Sequence, residues 1–391
     1  MRLHSLAFAG YRSFAARSPA AVDRPLQHIQ LAPLTILLGK NNSGKSTVAR
    51  LLHHVLIALG AEGRDPFPMT DGQHTFGTKF RDVQHCGNFF NPIDLDIELG
   101  LSAGPRTRLL AQLAQAGELA DDHPPSIQKW NFGGKSYVAG EVSSRGLLPD
   151  QPYAKVWREG ARQLLNASCH LGPIRDPVEG TYSFDPLGPG SQLPNTNAAI
   201  AHMLLSDGEL RMAVEDWMAT NLEGWRVDVQ QTLGDLKLLA RRHGRESNLA
   251  DSGQGIQQVL PVVVLCCWRR LGRGQVPFLD LIEQPELHLH DAAHAPIGDL
   301  LLSAVAGGHG NIVVETHSES LVLRIRRRIA EGLSPDNVAI VYVDDVKEGS
   351  QLRPILLSHN GEVDWWPEGI FSEAFLEVKA IRRAQRRHGE K

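Results

Sequence analysis

The sequence predicts an α/β fold. Apolar runs at residues 34–38, 278–283 and 311–315 are typical of buried β-strands. The first of these runs leads into a glycine-rich loop, and an amphipathic helical pattern follows that loop. With 391 residues and 42% hydrophobic content, the chain can build one large α/β domain or two moderate ones.

Composition and charge exclude several classes of protein. The formal net charge of −4 argues against a general attraction to nucleic acid, so such contacts would need local patches. No run approaches the roughly 18 consecutive apolar residues that suggest a membrane span, and the N-terminal residues lack the apolar block of a signal peptide. We therefore expect a cytoplasmic protein that does not contact membranes. The cysteines lack the spacing of metal ligands and are expected to be reduced thiols: Cys86, Cys169, Cys266 and Cys267.

The N-terminal elements can be placed from their patterns. Residues 3–8 alternate sufficiently for a first strand, and residues 10–14 have the composition of a turn. A second strand-like run covers residues 29–38, with Pro33 interrupting it. This run leads into the glycine-rich loop.

The middle of the chain has a different character. Between residues 92 and 244, clusters of Pro, Gly, Asp and Asn separate short patterned pieces. Within this segment, residues 207–222 have helical spacing, and no sustained heptads indicate a coiled-coil arm. The pattern predicts an inserted lobe, residues 92–244, beside a core lobe of residues 1–91 and 245–391.

The glycine-rich loop reads GKNNSGKST and matches the phosphate-loop pattern G-x-x-x-x-G-K-[ST]. The strand before it and the helix after it supply the context that gives the motif its meaning. In such a loop, backbone N–H groups face the β- and γ-phosphates, and the following helix offers its positive N-terminal end. Lys45 is expected to neutralise phosphate charge, and the Ser46 hydroxyl is expected to take a magnesium position. The predicted nucleotide-binding residues are Gly39, Lys40, Asn41, Asn42, Ser43, Gly44, Lys45, Ser46 and Thr47.

A second small-residue loop precedes the strongly apolar helical run that begins near residue 256. It consists of Ser252, Gly253, Gln254 and Gly255. Such a loop presents backbone N–H groups at a helix N-terminus, where an anion can bind. A glycine-rich helix cap without any ligand would have the same sequence, so both interpretations stay open at this point.

Two polar residues stand at the ends of the other predicted strands. Glu283 ends the apolar run 278–283, where phosphate-loop enzymes place the carboxylate that holds magnesium directly or through water. His317 follows the run 311–315. A histidine at a strand tip can reach a γ-phosphate or an attacking water, although a purely structural histidine would fit the same pattern.

Taken in order, these blocks resemble the ATP-binding-cassette heads of the RecF, SMC and overcoming-lysogenization-defect group of bacterial AAA-family ATPases. The stretches DSGQGIQQVLP, IEQPELHLH and ETHSE are similar to an uncharacterised branch of that group, and the likeness covers nearly the whole chain. The resemblance implies a P-loop NTPase of ATP-binding-cassette head type. Such a head has a central, mostly parallel sheet flanked by helices, and it binds ATP with Mg²⁺.

The resemblance also implies roles for the motifs. Residues 39–47 would be the Walker A loop and residues 252–255 the signature loop, while Glu283 would be the Walker B carboxylate and His317 the switch histidine. Gln84 is the candidate for a further magnesium ligand. In such heads the signature loop of one subunit closes over ATP bound to the other, so a homodimer that sandwiches two nucleotides is expected.

One position departs from the pattern of the group. Its members commonly have two acidic residues at the end of the Walker B strand, and the second is the base that orients water. Here that second position is Gln284. Glutamine can position a water but cannot accept its proton at neutral pH. Either hydrolysis is slow, or Glu286 takes over as the catalytic base.

The resemblance also raises the question of partners. Several members of the group carry a C-terminal nuclease domain of the Toprim type, and the stretch after Ser318 is too short for such a domain of roughly a hundred residues. We therefore expect a separate effector protein, such as a nuclease, to carry out any cutting. Two arginine clusters are either solvated surface or contacts to nucleic-acid phosphates: Arg324, Arg326, Arg327 and Arg328, and Arg382, Arg383, Arg386 and Arg387.

Three functions remain for comparison. The first is an ATP-hydrolysing dimeric head that couples nucleotide state to nucleic-acid sensing or to control of an effector, in DNA repair or defence against phage. The second is an ATP-gated scaffold in which Gln284 makes hydrolysis negligible. The third, a GTPase switch or a small-molecule kinase, is disfavoured because no N-K-x-D motif occurs and because neither would use a signature loop.

Overall fold

The computed structural model describes residues 1–17, 25–72, 74–88, 90–101, 106–115, 124–186, 193–274, 277–370, 380–382 and 385. The α-helices bounded within this part of the chain are α1 (Lys45–Gly60), α2 (Lys155–Ala167), α3 (Asn197–Ser206), α4 (Gly208–Asn221), α5 (Gln254–Arg270), α6 (Asp291–Val305) and α7 (Glu319–Ala330). The helix predicted at residues 207–222 is confirmed as α4.

The strands are β1 (Arg2–Ala9), β2 (Gln27–Gln30), β3 (Leu34–Gly39), β4 (Ile93–Gly100), β5 (Arg106–Ala114), β6 (Ser126–Phe132), β7 (Lys135–Val138), β8 (Ser144–Arg145), β9 (Leu148–Pro149), β10 (His170–Leu171), β11 (Tyr182–Ser183), β12 (Arg226–Thr232), β13 (Asp235–Arg242), β14 (Arg245–Asn248), β15 (Leu279–Glu283), β16 (Asn311–Glu315), β17 (Val338–Val346) and β18 (Gly349–Ile355).

The central sheet has the order β10-β15-β16-β3-β17-β18. Its first five strands run parallel, and β18 pairs with β17 in the antiparallel direction. Glu283 of β15 is in register with Glu315 of β16, and Glu315 is in register with Leu37 of β3. Because parallel strands end at the same edge of a sheet, these acidic residues lie beside the start of the phosphate loop.

A second sheet is antiparallel and has the order β2-β1-β4-β5-β6-β7. The predicted strand at residues 29–38 is therefore two strands in two different sheets, because the chain turns at residues 31–33. Strands β4 to β7 fall within residues 92–244 yet belong to the same sheet as β1, which pairs with β4, and β10 joins the central sheet. The predicted inserted lobe thus contributes to both large sheets, and β11 to β14 form a smaller sheet of their own. The division into lobes stays a prediction.

Helices cover both faces of the central sheet. The side chains of Leu34, Ile36 and Leu38 point to the face covered by α5, α6 and α7, whereas Leu37 points to the face covered by α1 and α2. This alternation follows from the two-residue period of a strand. On α1, Leu52 and Val55 are fully buried, and burial of each such side chain stabilises the fold by about 1.5–3 kcal/mol.

A buried ion pair fixes β10 at the edge of the central sheet. Asp280 of β15 accepts hydrogen bonds from the Arg269 guanidinium, with Nη2 at 2.8 Å, and from the Cys169 amide at 2.8 Å. Arg269 Nη2 also donates to the Ala167 carbonyl at 2.6 Å. Because a charge buried in low dielectric is costly unless it is paired, this arrangement specifies where β10 lies. It places His170, the first residue of β10, next to the end of β15.

Two further predictions from composition can be compared with the structure. The four cysteines are free, and Cys86 is exposed while the other three are buried. In the described ranges, no helix combines the length and the apolar character that crossing a membrane requires.

Candidate functional site

The phosphate loop connects β3 to α1 with two residues in the left-handed region. Asn42 has φ +63° and Gly44 has φ +105°, and such alternation turns successive N–H groups toward one concavity that binds anions. A Cβ at Gly44 would lie 2.9 Å from Ser13 Oγ and 3.0 Å from Ser350 Oγ. Glycine is therefore required at residue 44 by both its conformation and its neighbours.

Lys45 is buried beneath this loop. Its ammonium donates to the carbonyl oxygens of Gly39 at 3.0 Å and Lys40 at 2.7 Å, and it lies 3.8 Å from Glu315 Oε1. Burial lowers the pKa of Lys45, and the charge of Glu315 acts in the opposite direction. The positive charge is thus held at the loop where phosphates would bind.

Glu315 is a site residue that the sequence analysis missed. It ends β16, is buried, and accepts a hydrogen bond from Ser46 Oγ at 2.7 Å. Burial raises the pKa of Glu315; the Ser46 hydrogen bond and the Lys45 charge oppose the shift, whereas the charges of Glu283 and Glu286 add to it. An acidic residue at the end of a buried strand, two residues before His317, was the available signal.

Glu283 lies one strand further from the loop and is also buried. Its Oε1 lies 2.8 Å from His170 Nε2, and its carbonyl oxygen accepts from Arg175 Nη2 at 2.8 Å. Arg175 is held by Gln258 of α5, through bonds in both directions. The end of the predicted Walker B strand is thus fastened both to β10 and to the helix that follows the predicted signature loop.

Glu286 connects the turn after β15 to the end of β16. Its Oε1 accepts from Thr316 Oγ1 at 2.8 Å and from the His317 amide at 2.8 Å. Its Oε2 is buried and has no hydrogen-bond partner among the described residues. One oxygen of this carboxylate is therefore anchored, while the other can still accept.

Gln284 occupies a strained position beside these carboxylates. Its backbone has φ +46°, which is uncommon for a residue with a side chain. Its backbone N–H donates to the Glu315 carbonyl oxygen at 2.7 Å. The turn after β15 is thereby tied to β16. Non-glycine residues in this conformation cluster at functional sites.

His317 is partly exposed at the tip of β16. Burial of part of the ring lowers its pKa, and the nearby Lys45 charge lowers it further. Both effects favour the neutral form of the imidazole. The structure thus brings Lys45, Ser46, Glu283, Glu286 and His317 of the predicted site together at one edge of the central sheet.

The predicted signature loop leads into α5, which packs on the face of the central sheet opposite to α1. The loop therefore lies across the sheet from α1. Ser252 Oγ donates to the Leu249 carbonyl at 2.6 Å, and Gly253 precedes α5 without any side-chain cap. A Cβ at Gly255 would lie 2.5 Å from the His288 carbonyl oxygen. Gly255 therefore allows α5 to approach the turn that carries Glu286.

Gln84 lies beside the turn that follows β1. It forms a β-bridge with Tyr11, and its side-chain amide donates to the Asn91 carbonyl at 2.7 Å. Ser13 and Phe14, which follow Tyr11, pack against Gly44 of the phosphate loop. Gln84 is therefore connected to the loop indirectly, through Tyr11 and these two residues. Its role as a magnesium ligand stays a prediction.

The arginines of α7 make intramolecular bonds. Arg324 and Arg328 both donate to Asp299 of α6, with Nη1 of Arg324 at 2.6 Å and Nε of Arg328 at 2.6 Å from its carboxylate oxygens. Arg327 donates to Glu331 at 2.7 Å, and Arg326 donates to the Gly361 carbonyl at 2.9 Å. In the second cluster, Arg382 is exposed, while residues 383, 386 and 387 lie outside the described ranges.

The Asp299 bonds predict a pH-dependent contact between α6 and α7. Burial favours the neutral form of Asp299, but the bonds and charges of Arg328 and Arg324 outweigh it and lower the pKa. The stabilisation is therefore present above the ordinary pKa of about 3.9 and is lost as the pH falls through the lower folded value. Asp299→Asn should reduce the free energy of unfolding by about 0.5–1 kcal/mol at pH 7. Urea unfolding should show this difference shrinking below about pH 4, and an undiminished difference there would contradict the assignment.

Comparisons with known proteins bear on the fold. No protein-family model matches the chain, and no curated protein matches it. The chain is similar to the SMC head bound to the C-winged helix domain of ScpA, with a TM-score of 0.57 and 12% identity over 92% of this chain and 98% of that one. It is also similar to the Smc head domain with an extended coiled coil bound to the C-terminal domain of ScpA derived from Pyrococcus furiosus, with a TM-score of 0.55 and 10% identity over 97% and 99%.

At this level of identity the likeness concerns the fold. It agrees with the mixed α/β sheets flanked by helices that the chain shows. The predicted fold class, an α/β head with a central, mostly parallel sheet flanked by helices, is confirmed.

Proposed function

We propose that the chain is an ATP-binding and ATP-hydrolysing head that works as a homodimer. The observation that supports this proposal is the meeting of Lys45, Ser46 and the carboxylates of Glu283, Glu286 and Glu315 at the edge of the central sheet. A phosphate loop next to carboxylates that can hold a metal ion is the arrangement on which phosphoryl transfer depends.

The donor set fits Mg²⁺, which prefers hydroxyl and carboxylate oxygens. Ser46 offers a hydroxyl, and Glu315 and Glu283 offer buried carboxylates at the ends of neighbouring strands. The mutual repulsion that helps to raise the pKa of Glu315 would be relieved by a divalent cation. We assign Ser46, Glu283 and Glu315 as the residues that would hold Mg²⁺, which supplies charge neutralisation for the phosphates when bound.

The groups of the chain itself bind the phosphates and position the water. The N–H groups of the loop face the phosphates, and the Lys45 ammonium exchanges its bonds to the Gly39 and Lys40 carbonyls for bonds to phosphate oxygens. The neutral His317 imidazole lies where it can contact the terminal phosphate. Each of these groups lies at the end of a strand or the start of a helix, where the fold holds it in place, as preorganised electrostatic stabilisation requires.

We assign Glu286 as the general base. Its anchored Oε1 fixes the carboxylate, and its buried Oε2 remains able to accept a proton from an attacking water. Gln284, whose amide cannot accept that proton, is assigned to orient the water. The alternative is an ATP-gated scaffold that does not hydrolyse ATP, and the Glu286 variant described in the Discussion distinguishes the two.

The position of the predicted signature loop supports the proposed homodimer. Ser252, Gly253 and Gln254 lie at the uncapped start of α5, whose first N–H groups can bind an anion. This helix packs on the opposite face of the sheet from α1, so an ATP bound at the phosphate loop would meet the signature loop of a second copy.

Gly253 gives a direct test of this dimer. Among the described residues, no atom lies within 4 Å of the position that a Cβ would take at Gly253, so Gly253→Arg should fold while blocking the approach of the partner's nucleotide. In a Glu286→Gln background, which should retain ATP, light scattering is expected to show a dimer with ATP and Mg²⁺ and a monomer after the addition of Gly253→Arg.

The matched control is Gly208→Arg, since Gly208 begins α4 and, in the part of the chain that the structure describes, also has no atom within 4 Å of its Cβ position. This variant should dimerise normally. A dimer that persists in Gly253→Arg, or a monomer in the Glu286→Gln protein despite calorimetrically bound ATP, would contradict the proposed dimer.

We further propose that the dimer transmits its nucleotide state to a partner protein. The two similar SMC heads were each solved bound to a part of ScpA, which supports a partner for this head as well. A separate effector such as a nuclease, direct contact with nucleic acid, and a role in DNA repair or defence against phage are the finer parts of this proposal. Mass spectrometry of proteins that co-purify with the ATP-trapped Glu286→Gln variant would identify the partner.

A further inference from the structure

A cluster of imidazoles and one carboxylate lies beside the nucleotide site and has no role in the function proposed above. His53 is on α1, Asp71 and His74 are on the loop after α1, and His170 begins β10. The rings of His53 and His74 are 4.5 Å apart, and both lie within 6 Å of the His170 ring, at 5.7 and 5.6 Å. These four residues come from three separate parts of the chain, so only the fold brings them together.

We propose that His53, Asp71 and His74 form a binding site for a divalent transition-metal ion of the Zn²⁺ class. Two imidazole nitrogens and a carboxylate oxygen are the protein ligands of zinc sites that keep a fourth position open. One ligand atom from each residue lies within 4.8 Å of the others. This donor set differs from the oxygen ligands assigned to Mg²⁺ at the phosphate loop, because imidazole favours transition metals.

The distances between the ligand atoms agree with a zinc site. Zn–N and Zn–O bonds of about 2.0–2.2 Å at tetrahedral angles place ligand atoms about 3.3–3.6 Å apart. Asp71 Oδ2 lies 3.2 Å from His74 Nδ1 and 3.7 Å from His53 Nε2. The two distances from Asp71 are therefore within a few tenths of an ångström of those in a zinc site, and the third, between the two imidazoles, is at most 4.8 Å.

His53 supplies the observation that points to a ligand. Its Nε2 atom is buried and, within the described residues, makes no hydrogen bond, although it faces Asp71. A buried polar atom without a partner is costly, and a metal ion would satisfy it.

The surroundings of the cluster meet two further requirements of a metal site. Asp71 is oriented by its Oδ1, which accepts from the His74 amide at 2.6 Å, and such outer bonds hold ligands in place. The side chain of His74 is 35% exposed and that of Asp71 is 19% exposed, which leaves a path for the ion and room for a water at the fourth position.

A single residue, His170, separates the proposed zinc site from Glu283, one of the carboxylates assigned to hold Mg²⁺. His170 packs against the His53 and His74 rings, and its Nε2 lies 2.8 Å from Glu283 Oε1. An ion held by His53, Asp71 and His74 would fasten the loop after α1 to the helix that follows the phosphate loop. The ion would thus stabilise the helix and the loop that support the nucleotide site.

Zinc titration of the full chain tests the site. The protein should carry no histidine tag, should be stripped with a chelator, and should be titrated calorimetrically with Zn²⁺ in excess Mg²⁺, which occupies the oxygen ligands at the phosphate loop. We expect one equivalent of Zn²⁺ to bind. Replacement by Co²⁺ should give the visible absorption of a tetrahedral site with nitrogen and oxygen ligands.

Three variants decide whether these residues are the ligands. His74→Ala removes a partly exposed ligand, and Asp71→Asn keeps an oxygen that accepts from the His74 amide while removing the charge. Each should weaken Zn²⁺ binding at least tenfold with an unchanged circular dichroism spectrum, whereas His359→Ala, at an exposed histidine, should leave it unchanged. Absence of stoichiometric Zn²⁺ binding by the parent, or binding that is equal in the parent and in both ligand variants, would overturn the proposal.

Discussion

Glu286→Gln is expected to lower the rate of ATP hydrolysis by about 10²- to 10⁴-fold, the range of general-base catalysis, while ATP still binds. The substitution keeps an oxygen that accepts from Thr316 and from the His317 amide, so the turn after β15 should stay in place. It removes the ability of the buried second oxygen to take a proton. Steady-state phosphate release, together with calorimetric ATP binding, measures both quantities.

Two companion variants make this result specific. Glu283→Gln should instead weaken Mg²⁺-dependent nucleotide binding, because Glu283 is assigned to hold the ion. Gln284→Glu places an acid where members of the group that this chain resembles commonly have one. It should raise the rate of ATP hydrolysis substantially only if the parent lacks an effective base. Turnover that survives Glu286→Gln would rule out Glu286 as the base. A parent without turnover whose Gln284→Glu variant hydrolyses ATP would favour the scaffold function.

Lys45→Ala is expected to reduce ATP affinity at least tenfold, which corresponds to about 1.4 kcal/mol. The ammonium is held at the loop by the Gly39 and Lys40 carbonyls and lies near Glu315, so its loss removes the positive charge nearest to the bound phosphates. Lys45→Met should have a similar effect, because it retains most of the apolar stem while removing the charge.

Lys40→Ala is the matched control for Lys45. Lys40 belongs to the same loop, but its side chain is exposed, so its removal should change ATP affinity much less. Calorimetry in the presence of Mg²⁺, with thermal unfolding to verify the fold, measures the difference. Equal affinities for the parent and Lys45→Ala would remove the basis for the nucleotide site.

Several features of the candidate catalytic site could be predicted from short patterns in the sequence. The phosphate loop, the strand ending in Glu283 and the histidine after the next strand were predicted because each feature is a short pattern of residue types along the chain. The structure gives these strands as β3, β15 and β16 and places their ends at one edge of the central sheet. The arrangement could be predicted because parallel strands in such a fold end together.

Glu315 and His170 were not anticipated for a different reason. Glu315 contacts Ser46 because β16 lies between β3 and β15, and strand order is decided by packing across hundreds of residues. His170 reaches Glu283 because the two-residue strand β10 is fixed by the buried Arg269 and Asp280 pair. A strand of two residues has no detectable period, so its pattern carries no signal.

The sequence by itself determined the class of the fold, the phosphate loop and the identities of most candidate site residues, since these depend on residues that are close together along the chain. Only the tertiary structure decided that β4 pairs with β1, that Glu315 faces Ser46, that Glu286 is anchored with one oxygen left to accept, and that His53, Asp71 and His74 converge. Each of these depends on contacts between distant segments. Burial and register set such contacts jointly over the whole chain, which is why they cannot be read from any one stretch of it.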